Sequence, residues 1–75
     1  MKVFFLIKTE TGKMEEVCER LEKLKEITST CMTYGRWDVV AEGEFKNLDA
    51  INRFLEKDMI KVTGINRSNT LIEAQ

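Results

Sequence analysis

The chain contains no histidine, only two cysteines and no long hydrophobic run. Histidine is the commonest acid–base group near neutral pH and the commonest protein metal ligand, so its absence argues against enzymatic or metal-dependent chemistry. The apolar run near the start, residues 3–7, has only five residues, too few for a signal peptide or a membrane span. We therefore expect a cytoplasmic protein without a membrane span, a metal or a cofactor.

The charge and cysteine content exclude further classes. The net charge is -1, whereas a dedicated nucleic-acid-binding domain usually carries a basic excess, so we expect no direct contact with nucleic acid. Cys18 and Cys31 are 13 positions apart and lack the close spacing of a redox or zinc pair, which predicts two reduced structural thiols. A length of 75 residues with 43% hydrophobic and 33% charged residues predicts a single globular domain spanning 1–75.

The residue pattern predicts four strands and two helices. Runs rich in β-branched and aromatic residues predict strands at 3–8, 27–34, 37–45 and 65–74. A first helix follows the turn at 9–12, with Thr11 or Gly12 as its cap, and a second is capped by Asn47. Gly35 and Arg36 form a two-residue link between the second and third strands, which predicts an antiparallel hairpin. The predicted inner stripes are Met14, Val17, Cys18, Leu21 and Leu24 in the first helix, and Leu48, Ile51, Phe54 and Leu55 in the second.

The order β-α-β-β-α-β predicts an α+β, ferredoxin-like fold: a four-stranded antiparallel sheet with both helices on one face. The second sheet face is left uncovered, and Phe4, Leu6, Met32 and Val40 are candidates to lie on it. Such a patch is too apolar for a monomer. We therefore expect a second copy packed sheet against sheet about a two-fold axis, as a dimeric α+β barrel.

Three stretches resemble one known family nearly end to end. Residues 4–24 (FFLIKTETGKMEEVCERLEKL) are similar to its first strand and helix, and residues 33–44 (TYGRWDVVAEGE) to its glycine–x–aromatic–aspartate hairpin and following strand. Residues 48–74 (LDAINRFLEKDMIKVTGINRSNTLIEA) are similar to its second helix, glycine turn and closing strand. The family is the effector-binding (RAM) domain of the Lrp/AsnC transcription regulators.

The resemblance implies sheet-to-sheet homodimers, often joined into rings such as octamers or decamers. It also implies small effectors, typically amino acids, bound between dimers near the hairpin. Full-length members carry an N-terminal helix-turn-helix domain for which this chain has no residues, so we expect a stand-alone effector domain. Such a domain would act as an amino-acid sensor, or assemble with full-length Lrp/AsnC regulators.

The hairpin residues are the candidate ligand contacts. Gly35 suits a turn that needs positive φ, and it also lets a ligand approach the backbone. Asp38 either caps backbone amides of its own turn or attracts a ligand's ammonium group. Arg36 departs from the acidic residue common in the family, and can hold a ligand's carboxylate, pair with a neighbouring subunit's glutamate, or be solvated. Trp37 is a core residue, a pocket wall or an interface anchor.

Four further residues supply hydroxyl and amide groups that can complete a polar site, or are simply surface residues. These residues are Tyr34, Ser68, Asn69 and Thr70. The resemblance implies that Ser68, Asn69 and Thr70 meet the hairpin of a neighbouring dimer.

The sequence thus predicts a module that binds an amino-acid-like effector and oligomerises, modulating transcription or amino-acid metabolism, with no catalytic residues. Two alternatives remain. A dimeric α+β barrel enzyme, oxygenase- or isomerase-like, would have only Glu42, Tyr34 and the cysteines for chemistry. A protein–protein adaptor would use the same fold with an empty hairpin pocket.

Overall fold

The order of elements is that predicted from the sequence. The computed structural model describes residues 1–74, with strands β1 (Lys2–Thr9), β2 (Ile27–Met32), β3 (Val39–Glu44) and β4 (Ile65–Ile72) and helices α1 (Met14–Glu22) and α2 (Leu48–Arg53). α2 continues into a π-helical turn, Phe54–Asp58, and a 3₁₀ turn, Met59–Lys61. Among residues 1–74 no helix combines the length and apolar character that crossing a membrane requires.

The strands form one antiparallel sheet in the order β2-β3-β1-β4. β1 lies in the interior of the sheet, where Phe5 is opposite Ala41 of β3 on one side and Thr70 of β4 on the other. This is the ferredoxin-like arrangement, so the predicted α+β fold class is confirmed. The end of β1 therefore lies beside the start of both β3 and β4.

The two helices begin in different ways. The Asn47 side chain accepts a hydrogen bond from the backbone nitrogen of Ala50 at 2.9 Å, which confirms it as the cap of α2. The predicted cap of α1 is wrong, because the capping position is Lys13 and its side chain makes no capping hydrogen bond. Gly12 instead provides the positive φ of 80° that the preceding turn requires.

The core lies between the sheet and the helices and centres on three aromatic rings. The Phe5 ring centroid is 5.5 Å from that of Phe54 and 6.1 Å from that of Phe45, and the latter two are 5.1 Å apart. Val17 and Leu21 bury the inner side of α1, as the apolar periodicity predicted. The prediction that Leu48 lies on the inner side of α2 is wrong, because its side chain, at the first residue of the helix, is exposed.

The second face of the sheet carries several apolar side chains away from the helices. Val3, Phe5 and Ile7 are fully buried toward the core, so alternation places Phe4 and Leu6 on the opposite side. The register adds three residues to them: Val40 opposite Leu6, Cys31 opposite Val40, and Leu71 opposite Phe4. We call this set (Phe4, Leu6, Cys31, Val40 and Leu71) the open sheet face.

The prediction that Met32 lies on the open sheet face is wrong. Met32 is opposite Val39, whose side chain is buried toward the helices, and directly opposed residues share a face. Strands β2 and β3 pair with a register shift between Ile27 and Ser29. A shift of one position exchanges the two faces, which is why alternation read from the sequence misassigned Met32.

The connection between β2 and β3 is longer than the predicted two residues. Residues 33–38, here called the hairpin loop, separate Met32 from Val39. The backbone nitrogen of Thr33 donates to the Asp38 carbonyl oxygen at 2.8 Å, and the Thr33 hydroxyl donates to the Trp37 carbonyl oxygen at 2.6 Å. These bonds close the loop at its base, so Tyr34, Gly35 and Arg36 project beyond the sheet.

Candidate functional site

Asp38 ties the hairpin loop to the end of β1. Its Oδ2 atom accepts hydrogen bonds from the backbone nitrogen of Thr9 at 2.9 Å and from the Thr9 hydroxyl at 3.1 Å. Its Oδ1 atom lies 3.7 Å from the Lys8 ammonium nitrogen. One of the two interpretations of the sequence makes Asp38 a cap on amides of its own turn. The amide that it binds belongs instead to a strand 29 positions away.

The same contacts keep Asp38 ionised. The hydrogen bond from the Thr9 backbone lowers the pKa of the Asp38 carboxyl below its ordinary value, partial burial opposes the shift, and the Thr9 hydroxyl and the Lys8 charge reinforce it. Its side chain is 19% exposed, so a small part of the carboxylate still faces solvent. Asp38 therefore carries a negative charge at neutral pH whose bonding capacity is already largely used by Thr9 and Lys8.

A small basic cleft lies on one side of Asp38. Lys8, Arg36, Trp37 and Arg67 line a depression of about 120 Å³. Lys8 and Arg67 are directly opposite each other in the pairing of β1 with β4, and Arg36 comes from the hairpin loop. We call Lys8, Arg36 and Arg67 the basic cluster. Arginine forks bind carboxylate and phosphate oxygens, so this cleft suits an anionic group.

A larger cleft of about 450 Å³ lies on the helix side of the same hairpin loop. Its walls are residues 8–12, the first turn of α1, Met32 and Asp38. The side chains here differ in chemistry from the basic cleft, since Glu10 and Glu15 are acidic and Thr9 and Thr11 bear hydroxyls. Lys8 lines both clefts, whereas Asp38 lines only the larger one.

The sequence predicts Arg36, Trp37 and Asp38 as site residues; Arg36 and Trp37 line the basic cleft, and Asp38 lines the larger one. The prediction missed Lys8 and Arg67, because their proximity to Arg36 depends on strand order and register. The available signal was the fold itself, since in the ferredoxin-like order the end of the first strand pairs with the start of the last.

The remaining predicted site residues do not join either cleft within one chain. The Tyr34 side chain is fully exposed, and Gly35 has a φ of 113° with no atom within 4 Å of a Cβ built there, so its turn role is confirmed. On β4, Ser68 and Thr70 are opposite Ile7 and Phe5 and so share their face, whereas Asn69 is opposite Leu6 and shares the open sheet face. Their predicted meeting with the hairpin of a neighbouring dimer stays a prediction.

No three Cys, Asp or Glu side chains in residues 1–74 are grouped to hold a metal ion. What the described residues form is an α+β domain of the ferredoxin-like class, with charged clefts around a polar hairpin. The model of the Lrp/AsnC ligand-binding domain matches residues 2–74. The chain belongs to this family.

Relatives agree with this assignment. The chain is 37% identical over 70 residues to the HTH-type transcriptional regulator FL11 of Pyrococcus furiosus, covering 92% of this chain and 45% of the relative. It thus spans about half the length of the curated relatives it matches. A crystal structure of a hypothetical protein from Pyrococcus horikoshii is 27% identical with a TM-score of 0.91, covering 99% of this chain and 89% of that one.

A structure of the regulator NMB0573 of Neisseria meningitidis in complex with L-Met has a TM-score of 0.87 over 99% of this chain and 49% of that one. At 14% identity it demonstrates a shared fold. The relatives are transcriptional regulators, which agrees with the prediction that this chain is not an enzyme.

Proposed function

We propose that this domain binds a small amino-acid-like effector at the hairpin loop, and that binding changes how dimers of the domain assemble. The observation that carries the proposal is that two clefts of different charge share Lys8, the ion-pair partner of Asp38. An amino acid presents a carboxylate and an ammonium group a short distance apart. A basic cleft beside an acidic, hydroxyl-bearing one matches that pair of groups.

The open sheet face supports a homodimer as the assembling unit. Phe4, Leu6 and Val40 are only half-buried in one chain, and Leu71 is 49% exposed. Packing two such faces together about a two-fold axis removes the apolar side chains from water, and each Å² buried is worth about 25 cal/mol. The Lys2–Glu42 pair, with its nitrogen 3.5 Å from the carboxylate oxygen, lies beside these residues and provides a polar neighbour for the interface.

Effector binding between dimers would then favour one assembly over another. A ligand that contacts two dimers binds the ring better than separate dimers and shifts the equilibrium accordingly. We propose rings such as octamers or decamers as the larger state, with Ser68, Asn69 and Thr70 of one dimer meeting the hairpin loop of the next. Through this change the domain would modulate transcription in the cytoplasm, in homomeric rings or together with full-length Lrp/AsnC regulators.

The amino-acid class of ligand is supported by the L-Met complex of the Neisseria relative. Calorimetric titration with each of the twenty amino acids tests it, on the wild type, on Asp38→Ala and on the control Asp49→Ala. Asp49 is an exposed aspartate in the first turn of α2. We expect at least one amino acid to release heat with the wild type and the control, and much less with Asp38→Ala.

Two results would count against this proposal. Equal heats for the wild type and Asp38→Ala would remove Asp38 from the site. An absence of heat for all twenty amino acids with the wild-type protein would remove the amino-acid effector itself.

A further inference from the structure

We propose that the basic cluster selects a ligand with a net negative charge, by binding one carboxylate group against Trp37, so that acidic amino acids are preferred over their neutral amides. This inference rests on the proposed function, because it names the class of effector that the hairpin takes. The proposed function needs only one carboxylate and one ammonium group on the ligand, whereas this inference requires a second carboxylate.

The geometry brings three cations from three separate segments to one place. Lys8 is the penultimate residue of β1, Arg67 lies near the start of β4, and Arg36 extends from the hairpin loop. Lys8 and Arg67 are directly opposite on neighbouring strands, where like charges destabilise the pairing. An anion between them would relieve that repulsion, so binding an anion and stabilising this corner of the sheet are the same event.

The charges of the cluster are not balanced within the chain. In the described part of the chain, the ion pairs within 4.0 Å include Lys8 with Asp38 but no carboxylate partner for Arg36 or Arg67. Asp38 is itself engaged by both groups of Thr9. Three positive charges therefore face one negative charge, and two guanidinium forks remain available for oxygens.

The size of the basic cleft limits what it can hold. Its volume is about 120 Å³, against about 450 Å³ for the larger cleft. It is the smaller of the two clefts at the hairpin loop, and we assign to it the anionic groups of the ligand. Lys8 lines both clefts.

These facts favour a dicarboxylate over a neutral amino acid. In a neutral amino acid the single carboxylate would compensate one cation, and the ammonium group would add a positive charge near a cluster that already has an excess. A second carboxylate compensates the remaining cation. L-glutamate and L-aspartate satisfy this requirement, whereas L-glutamine and L-asparagine have nearly the same shape without the second charge.

The protein contains its own reporter, because Trp37 is the single tryptophan of the chain and lines the cleft. We expect L-glutamate or L-aspartate, at constant ionic strength, to change Trp37 fluorescence at a concentration at least about tenfold lower than its amide does; tenfold corresponds to about 1.4 kcal/mol, near the lower end of what one charge-assisted contact contributes. Arg67→Gln should abolish this preference. Arg53→Gln, which removes an exposed arginine of α2, should retain it.

A second measurement needs no knowledge of the ligand. Iodide, which is an anion, and acrylamide, which is neutral, both quench tryptophan fluorescence. The ratio of the iodide quenching constant to the acrylamide quenching constant therefore reports the local charge around Trp37. We expect the ratio to fall in Arg67→Gln and to stay unchanged in Arg53→Gln. Equal ratios in the two variants would overturn the inference, because the cluster would then exert no attraction on anions at Trp37.

The outcomes separate this inference from the function on which it rests. Equal affinities for acid and amide would overturn the inference and leave an amino-acid effector in place. Inorganic phosphate that binds as tightly as the acidic amino acids would also overturn it, since the cluster would then be a general oxyanion site. If iodide quenching depends on Arg67 but no amino acid changes Trp37 fluorescence, the cluster attracts anions and the proposed amino-acid effector is refuted.

Discussion

The carboxylate of Asp38 and the backbone nitrogen of Thr9 are 2.9 Å apart, across 29 positions of the chain. The register between β1 and β4 shifts between Lys8 and Thr9, so the strand is irregular at the point where Asp38 binds it. Asp38 therefore supplies an acceptor at the irregular end of β1, and in doing so it fixes the hairpin loop beside both clefts. One side chain couples the end of the sheet to the candidate site.

The first prediction concerns this contact and pH. Because the Thr9 hydrogen bonds lower the pKa of Asp38 in the folded state, the ionised carboxylate stabilises the fold above its unfolded pKa, near 3.8. That stabilisation is lost as the pH falls through the lower, folded pKa. We expect Asp38→Asn to be less stable than the wild type at pH 7 and the difference to shrink toward pH 2, in urea unfolding followed by circular dichroism.

Asp49→Asn is the matched control for that experiment, since Asp49 is exposed at the start of α2. A difference between wild type and Asp38→Asn that stays constant from pH 7 to pH 2 would show that the carboxylate charge does not stabilise the loop.

The second prediction concerns the aromatic core. Phe5 is fully buried and packs against Phe45 and Phe54. We expect Phe5→Ala to lower the free energy of unfolding by about 3–5 kcal/mol, through lost burial and a residual cavity. Tyr34→Ala, at a fully exposed position, should change it by less than about 0.5 kcal/mol. Comparable losses for the two variants in urea titration would contradict the assigned core.

The third prediction compares two glycines with positive φ. At Gly35 a Cβ would meet no atom within 4 Å, so Gly35→Ala adds only backbone strain, about 1–2 kcal/mol. At Gly64 a Cβ would lie 3.0 Å from Cγ2 of Val17 and 3.1 Å from Cβ of Lys13. We expect Gly64→Ala to lower the thermal midpoint more than Gly35→Ala, by differential scanning fluorimetry. The reverse order would show that the packing of α1 against the turn is not tight.

The fourth prediction concerns the open sheet face. A charge at Phe4 would be buried if two sheets pack together, so we expect Phe4→Glu to sediment as an 8.7 kDa monomer while the wild type sediments as a dimer or larger. Leu48→Glu places the same charge at an exposed apolar position on α2 and should leave the assembly unchanged. If Phe4→Glu retains the wild-type sedimentation coefficient, the sheet face is not the interface.

The parts of the fold that depend on neighbouring residues were predictable from the sequence. Val17 and Leu21 lie one turn apart on the inner side of α1, and Asn47 precedes an apolar periodic segment, so both are visible as local patterns. The sequence predicts too short a hairpin loop. The bonds that hold the loop, between Thr33 and Asp38 and between Asp38 and Thr9, are not encoded by local propensity. Local rules indicated strands at 33–34 and 37–38, where tertiary bonds hold a loop.

The candidate site was predictable where it consists of consecutive residues, and not where it depends on strand pairing. Arg36, Trp37 and Asp38 are adjacent in the sequence and together form an unusual cluster. Arg67 is far from them along the chain, and only the β1–β4 register brings it opposite Lys8. The prediction for Met32 is wrong for a related reason, because the register shift in β2 determines on which face of the sheet each side chain lies.

We propose that a ligand bound at the hairpin loop changes the assembly of the domain. Sedimentation velocity tests it most directly, with and without a saturating concentration of the amino acid that gives the largest calorimetric heat. We predict a change in the weight-average sedimentation coefficient of the wild type and of Asp49→Ala, with little change for Asp38→Ala. A wild-type sedimentation coefficient that stays the same at saturating ligand would contradict the account.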